Sequence, residues 1–372
     1  MWDWLLLVVF IIFSVSAAIQ LFYYYYFYLS LNNWKHGNGN TGSKPVSVII
    51  CARNEASNLK EFLPSILTQD YHDFEVIVVN DCSEDDTYNV LGDYLMKYPN
   101  LKVSTINRDP KFTHNKKLAQ LIGIKAARNE YLLFTDADCK PESDKWLANM
   151  SSHFSDKVSY ILGYGGYIRQ KGLLNAYIRY DTAIIAIQYF SMALRGFPYM
   201  GVGRNLAYRR SGFFMNNGFG IHSNLASGDD DLYINNNASR DNTAVEFRAE
   251  SHTRSVPAST LHEWISQKRR HLTTSPYYKA SDKLLLVLEP LSRVVFYITL
   301  IALLSLWYFW IAVIAVFTAR LATQIIVFTA AFKRLQEKGL LSYSLIFDIF
   351  SPFINSLLYI GKDKVRSKSQ WR

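Results

Sequence analysis

The sequence predicts an α/β protein: a mostly parallel sheet with helices on both faces, plus transmembrane helices at both ends. Two observations lead there. Long apolar stretches occupy both ends of the 372-residue chain, and between them short β-branched runs alternate with helical spacing and polar turns. The length allows more than one domain. The formal charge of +9 is concentrated around the apolar C-terminal region, where lysine and arginine mark the cytoplasmic side of a membrane. No nucleic-acid-binding motif accompanies it, so nucleic acid is not an expected partner. Cys51, Cys82 and Cys139 fit no zinc spacing and are odd in number, which points to reduced core fillers.

The elements follow in chain order. Residues 5–31 are nearly unbroken apolar and aromatic sequence, long enough to cross a hydrocarbon core of ~30 Å. No basic segment precedes them and the run continues through the tyrosine cluster, so an uncleaved anchor over 1–33 is expected rather than a signal peptide. Tyrosines suit the membrane boundary, and Lys35, His36 and Lys44 put this end in the cytoplasm. Residues 34–44, rich in glycine and asparagine, read as a linker. The domain expected over 45–282 opens with strands at 46–52 and 74–80, then 101–106 and 131–135. Helices are expected over 58–67 and 116–127, and Ser83 with Asp86 reads as a capping box opening another. Two transmembrane helices are expected over 283–332, turning near 307–310, with Lys333, Arg334 and Lys338 back in the cytoplasm. Arg320 inside the second should face a helix partner or snorkel. Asp348 and Pro352 interrupt the next apolar run. With the basic tail of Lys362, Lys364, Arg366, Lys368 and Arg372, they predict an interfacial or re-entrant helix and a cytoplasmic tail over 333–372.

Ligands of a parallel sheet bind beyond the carboxyl ends of its strands. Arg53, Asn54 and Glu55, then Asp81, then Asp136 and Asp138 all fall there. Two carboxylates one residue apart at a strand end can approach one hard cation, Mg2+ or Mn2+, with a diphosphate supplying further oxygens. The motif is weak alone; the strand before it and the two companion clusters give it weight. Asp81 reads as an acceptor for a nucleotide's base or ribose, or as an Asx-turn residue. Lys116 and Lys117 stand near a helix start, where a cation is unfavourable unless an anion or solvent faces it. Asp229, Asp230 and Asp231 precede a helical Leu232. Three adjacent carboxylates repel one another beyond what capping requires, so Asp229 or Asp230 is a candidate general base. The helix over 264–271 carries Gln267, Lys268, Arg269 and Arg270, either a solvated face or one from which Arg270 clamps a diphosphate.

With these residues in hand, the chain resembles the large inverting glycosyltransferase family, family 2 with the GT-A fold, that includes cellulose, hyaluronan and chitin synthases and bacterial lipid-linked-sugar transferases. The matching stretches are 46–50 with Arg53-Asn54-Glu55, 78–83 through Asp86-Thr87, 135–138, 201–209 and the Asp229 cluster. Residues 267–271 resemble the Gln-x-x-Arg-Trp element of the membrane-embedded members. The resemblance covers roughly residues 45 to 272 and the membrane layout. It implies that Asp81 contacts the nucleoside, and that Asp136 and Asp138 hold the metal. Arg53, Glu55 and Lys116 would belong to the nucleotide-sugar site, with Asp229 or Asp230 as base; alignment on Leu232 favours Asp229. Gln267, Arg270 and His271 would line the acceptor and diphosphate side. His271 departs from the family's tryptophan, and its smaller ring counts against a processive polymer synthase. The expected partners are a nucleotide-sugar donor, a lipid-linked or glycan acceptor and membrane lipids. The expected location is the inner membrane, multi-pass, with the catalytic domain cytoplasmic.

Three other functions make different demands on the sequence or its products. A nucleotidyltransferase announces itself with a glycine-rich loop after the first strand, and residues 52–56 contain no glycine; residues 163–166 lack the third glycine of a dinucleotide fingerprint. A non-catalytic nucleotide-binding scaffold would not release nucleoside diphosphate. A processive synthase would make long chains instead of adding one sugar.

Overall fold

The computed structural model describes residues 2–35, 44–108, 115–223, 225 and 227–362; the expected linker at 37–43, His36 and the tail residues Lys364, Arg366, Lys368 and Arg372 lie outside them. The chain opens with α1 (Trp2–Phe22), which runs through a π-helical turn, Tyr23–Tyr28, into α2 (Leu29–Asn33). Then comes the sheet. β1 (Val46–Ala52) pairs in parallel with β2 (Phe74–Asp81) and with β4 (Tyr131–Asp136), and β2 pairs in parallel with β3 (Leu101–Ile106). Every residue of β1 is buried, as a strand covered on both faces requires, and this is why it reads as an apolar run interrupted only by Ser47, whose Oγ donates to Glu75 at 2.6 Å. α3 (Ala56–Leu67) and α4 (Thr87–Lys97) pack on one face through Leu59, Leu63, Val90 and Leu91. α5 (Lys116–Ala126) packs on the other through Ala119 and Ile124. Gly123 lets α5 approach closely; a Cβ there would stand 2.6 Å from Ile49 Cγ2.

One helix start is corrected. α4 begins at Thr87, not at Ser83. Ser83 Oγ accepts from Asn54 N–H at 2.9 Å, and Asp85 accepts from the N–H groups of Ala56 (3.1 Å) and Thr87 (3.0 Å). These side chains lace the loop after β2 to the loop after β1, a partnership invisible to a local reading.

Six further strands complete the domain. β5 (Cys139–Pro141), β7 (Gly165–Tyr167) and β10 (Thr253–Ser255) form a small sheet with β10 at its centre. β6 (Tyr160–Gly163), β8 (Leu206–Arg209) and β9 (Thr243–Glu246) extend the main sheet to the order β3-β2-β1-β4-β8-β6-β9. β8 runs antiparallel to both β4 and β6. The connections carry α6 (Trp146–Ser151), the long α7 (Leu173–Leu194), α8 (Arg210–Met215) and α9 (Asp231–Asn237). α10 (Leu261–Leu272) opens at Thr260, whose Oγ1 accepts from Glu263 N–H at 3.2 Å.

The chain ends in α11 (Ala280–Ser305), α12 (Trp310–Arg334) and α13 (Leu341–Ile360). Among the described residues, four helices are long and apolar enough to cross a membrane: 3–33, α11, α12 and α13, with mean hydropathy lowest, 1.3, in α13. α13 runs unbroken through Asp348 and Pro352, the residues that interrupt its apolar run, because both are accommodated. Asp348, 1% exposed, accepts from Arg320 Nη2 (2.7 Å), Arg293 Nη1 (3.0 Å) and Tyr297 OH (2.7 Å). Pro352 has no N–H for the Asp348 carbonyl, which Arg293 Nη1 approaches at 3.5 Å instead. Arg320 faces helix partners, Gln20 Oε1 at 2.7 Å among them. Both ends of α13 sit against the α/β domain, Gly339 beside Arg169 and Gly361 beside Arg269. Between them, Phe347 packs on Tyr177 and Tyr180 of α7, with ring centroids 5.0 and 5.3 Å apart. Just before α13, Glu337 is buried and accepts from Arg179 (2.6 Å), Arg254 and Tyr164 OH (2.8 Å).

Candidate active site

At the end of β4 the chain turns sharply into β5, and the turn carries Asp136 and Asp138. Their carboxylates and the Cys139 thiol bring one candidate ligand atom each within 4.8 Å of one another. Burial and the neighbouring Asp136 push the Asp138 carboxyl up, against a 2.6 Å hydrogen bond from Ser255 Oγ. A cation between the two would relieve that repulsion. The Cys139 thiol is held protonated by its burial and by Asp138, so the set offers two hard oxygen donors, which suits Mg2+ or Mn2+.

Lys116 joins this pair to the second acidic cluster. Its Nζ lies 2.7 Å from Asp136 Oδ1 and 3.4 Å from Asp229 Oδ2. Burial alone would lower its pKa, but Asp136, Asp229 and Asp230 hold it well above the ordinary lysine value. Lys117, by contrast, is buried and donates to the carbonyls of His222 and Leu225. The three aspartates differ in what they touch. Asp231 accepts from Thr274 Oγ1 and Tyr278 OH, tying α9 to the segment after α10. Asp230 spends both oxygens on backbone, accepting from Gly203 N–H and Asp231 N–H, each at 2.7 Å. Asp229 Oδ2 has no hydrogen-bond partner among the described residues. Burial, then Asp229 and Asp231, push Asp230 up to about 7.

Asp136, Asp138, Lys116, Asp229, Asp230 and Asp231 line one cavity of about 970 Å3, with Glu55, Gln267, Arg270 and His271. Burial pushes Glu55 up to about 7 despite a 2.6 Å hydrogen bond from Asn58, with Asp138 and Asp136 adding repulsion. The His271 ring is open to the cavity but enclosed by protein; burial, then Arg270, Arg204, Lys268 and Lys116, hold its pKa well below the usual imidazole value. Gln267 Nε2 donates to Tyr167 OH at 3.2 Å. Arg53 and Asp81 stand beside the cavity rather than on its wall. Asp81 ends β2, wholly buried, close enough for the Cys51 thiol to sense it with Lys116, Asp229 and Asp136.

The sequence reading missed three wall residues. Arg204, in the loop before β8, stacks over Tyr167 with its guanidinium 4.3 Å from the ring centroid. Asp181, on α7, pairs with Lys268, and Ser255 holds Asp138. Only Arg204 left a local signal, an arginine beside Gly201 and Gly203 where backbone comes close; the other two depend on tertiary neighbours.

Residues 47–213 match the profile described as Glycosyl transferase family 2. That stretch contains the strand ends, Asp81, Lys116, Asp136 and Asp138 in order. The chain carries a glycosyl transferase family 2 domain. Curated relatives match shorter stretches. The poly(ribitol-phosphate) beta-N-acetylglucosaminyltransferase TarS of Staphylococcus aureus is 35% identical over 94 residues, 25% of this chain and 16% of that protein. The UDP-Glc:alpha-D-GlcNAc-diphosphoundecaprenol beta-1,3-glucosyltransferase WfaP of Escherichia coli is 26% identical over 129 residues, 34% of this chain and 47% of that protein. The match thus spans less than half the length of either relative. Among solved structures, the mannosyltransferase PcManGT from Pyrobaculum calidifontis, in complex with GDP-Man and Mn2+, aligns with TM-score 0.60 at 17% identity. It covers 93% of this chain and 99% of that one. The glycosyltransferase domain therefore shares its GT-A-like mixed sheet, and the likeness extends over the C-terminal helices.

Proposed function

We propose that this chain is an inverting, metal-dependent glycosyltransferase, moving a sugar from a nucleotide-diphosphate sugar to a lipid-linked or glycan acceptor at the cytoplasmic membrane face. One observation carries the reading: Asp136 and Asp138 face Asp229 across a single cavity, with Lys116 between them. In this reading Asp229 is the base, since its Oδ2 meets only the Lys116 ammonium at 3.4 Å, with no hydrogen bond among the described residues, while both Asp230 oxygens hold backbone. It takes the proton of an acceptor hydroxyl as that oxygen attacks the anomeric carbon. The bond from that carbon to the diphosphate breaks on the opposite side, and the configuration inverts. Lys116, Arg204 and Arg270 meet the negative charge growing on the diphosphate, an electrostatic contribution of several kcal/mol. A divalent cation held by Asp136 and Asp138 would supply further neutralisation of the diphosphate oxygens. Asp81, with Arg53 and Glu55, would take the nucleoside side; Gln267 and His271 would take the acceptor side.

On this reading the anchor is 1–33, the linker 34–44, the catalytic domain 45–282, the transmembrane pair 283–332 and the C-terminal segment 333–372. Lys333, Arg334 and Lys338 support a cytoplasmic return after α12. Contact of both ends of α13 with the catalytic domain supports a helix lying along the interface. The test is a panel of nucleotide-sugars with Mn2+ or Mg2+, scored by nucleoside diphosphate release. At least one donor should be consumed, and Asp138→Ala should abolish its turnover. Equal release by wild type and Asp138→Ala would refute the assignment.

A further inference from the structure

The cavity does not end at the carboxylates. It continues between α11 and α13, walled by Val287, Pro290 and Leu291 on one side and Pro352, Phe353 and Ile360 on the other. Val287, Leu291, Phe353 and Ile360 are 58, 54, 43 and 77% exposed. The arm therefore has an open apolar rim, on two helices of membrane-crossing length and composition. A water-soluble acceptor would gain nothing from such a wall. One buried polar group also lines the arm. Arg293 is 6% exposed, its Nη atoms are held by Glu289 (2.8 Å) and Asp348 (3.0 Å), and its Nε has no hydrogen-bond partner among the described residues. Of the cations on this part of the wall, Lys268 is paired with Asp181 and Arg293 is shared by Glu289 and Asp348, while Arg270 and Lys283 have no carboxylate partner among the described residues. That balance favours an anion.

We propose that this arm receives the hydrocarbon chain of a membrane lipid whose anionic head carries the acceptor hydroxyl. The lipid enters sideways between α11 and α13 and presents its head to Asp229. The inference rests on the glycosyltransferase reading and names its acceptor. Each methylene removed from contact with water tightens binding by up to about fourfold, so an apolar arm selects a long-chain acceptor over a soluble sugar.

The experiment uses membranes containing the full chain, supplied with a radiolabelled nucleotide-sugar from which wild type releases nucleoside diphosphate. Label in organic extracts is normalised to that release. Wild type should place label in a lipid retained by anion exchange. Val287→Trp and Ile360→Trp, which narrow the arm, should each lower the normalised transfer tenfold or more. Ile301→Trp, an exposed position on α11 outside the arm, should keep the wild-type ratio. Label confined to soluble sugar, to polymer or to neutral lipid would overturn the proposal, as would wild-type transfer by both narrowed variants. Absence of nucleotide release by wild type with any donor would instead strike the enzyme reading beneath it.

Discussion

Among the residues, the choice between Asp229 and Asp230 decides the chemistry, and their environments separate them. Asp230 is the helix cap and Asp229 faces the cavity with Lys116 as its ion-pair partner, so Asp229→Asn should cut turnover by more than about a thousandfold while leaving donor affinity within a few-fold, measured by single-turnover kinetics and equilibrium binding. Asp230 titrates near 7 because burial and its two neighbours disfavour its charge. The acidic cluster therefore holds a proton below about pH 7, and kcat/KM should rise with pH up to that point. Asp230→Asn removes one repelling charge, so the acid limb should move to lower pH; a limb that stays put would contradict the coupling. Stability runs the other way. The folded state binds that proton more tightly than the unfolded chain, whose aspartates titrate at about 3.9. The contribution is full below about pH 4 and is lost as pH rises through about 7. The acidic pairs were legible because carboxylates in one short stretch need a reason to coexist. Which of them was bound to backbone was not, since one of the two backbone partners of Asp230 is Gly203, far along the chain.

At the scale of elements, β1, β2 and β4 were legible from sequence because interior parallel strands are mainly apolar runs, and β3, at the sheet edge, because Leu101 and Val103 alternate with Lys102 and Ser104. β6, β8 and β9 were not. Each has four residues, they include tyrosines and a glycine, and long connections separate them. The misread cap at Ser83 has the same origin, a side chain recruited by a neighbouring loop. How Asp348 sits inside α13 was not legible, because the two arginines that pair with it come from other helices. Glu337 shows how such pairs hold elements together. It anchors the segment between α12 and α13 to Arg179 on α7 and Arg254 on β10. Glu337→Ala would leave two buried guanidinium groups uncompensated and should cost about 3–5 kcal/mol. A lowered midpoint in thermal or denaturant unfolding, with a smaller loss for Glu337→Gln, would register it; an unchanged midpoint would not fit.

For the whole molecule, the apolar helices α11 and α13 and the glycosyltransferase domain share one cavity, and the sequence could name both parts without joining them. Their common orientation is testable in intact cells with a membrane-impermeant thiol reagent. A cysteine at the exposed Trp307 turn should be labelled, and one at the exposed Glu263 on α10 should not. Labelling of Glu263→Cys from outside would put the domain on the wrong side for the proposed donor. The central claim is narrower still, that Asp136 and Asp138 hold a divalent cation together with a nucleoside diphosphate. Electron paramagnetic resonance of Mn2+ reports it directly, through the loss of the free-ion signal as protein is added. The account predicts uptake of Mn2+ by wild type in the presence of UDP or GDP and none by Asp138→Ala. Equal uptake by both proteins would contradict it.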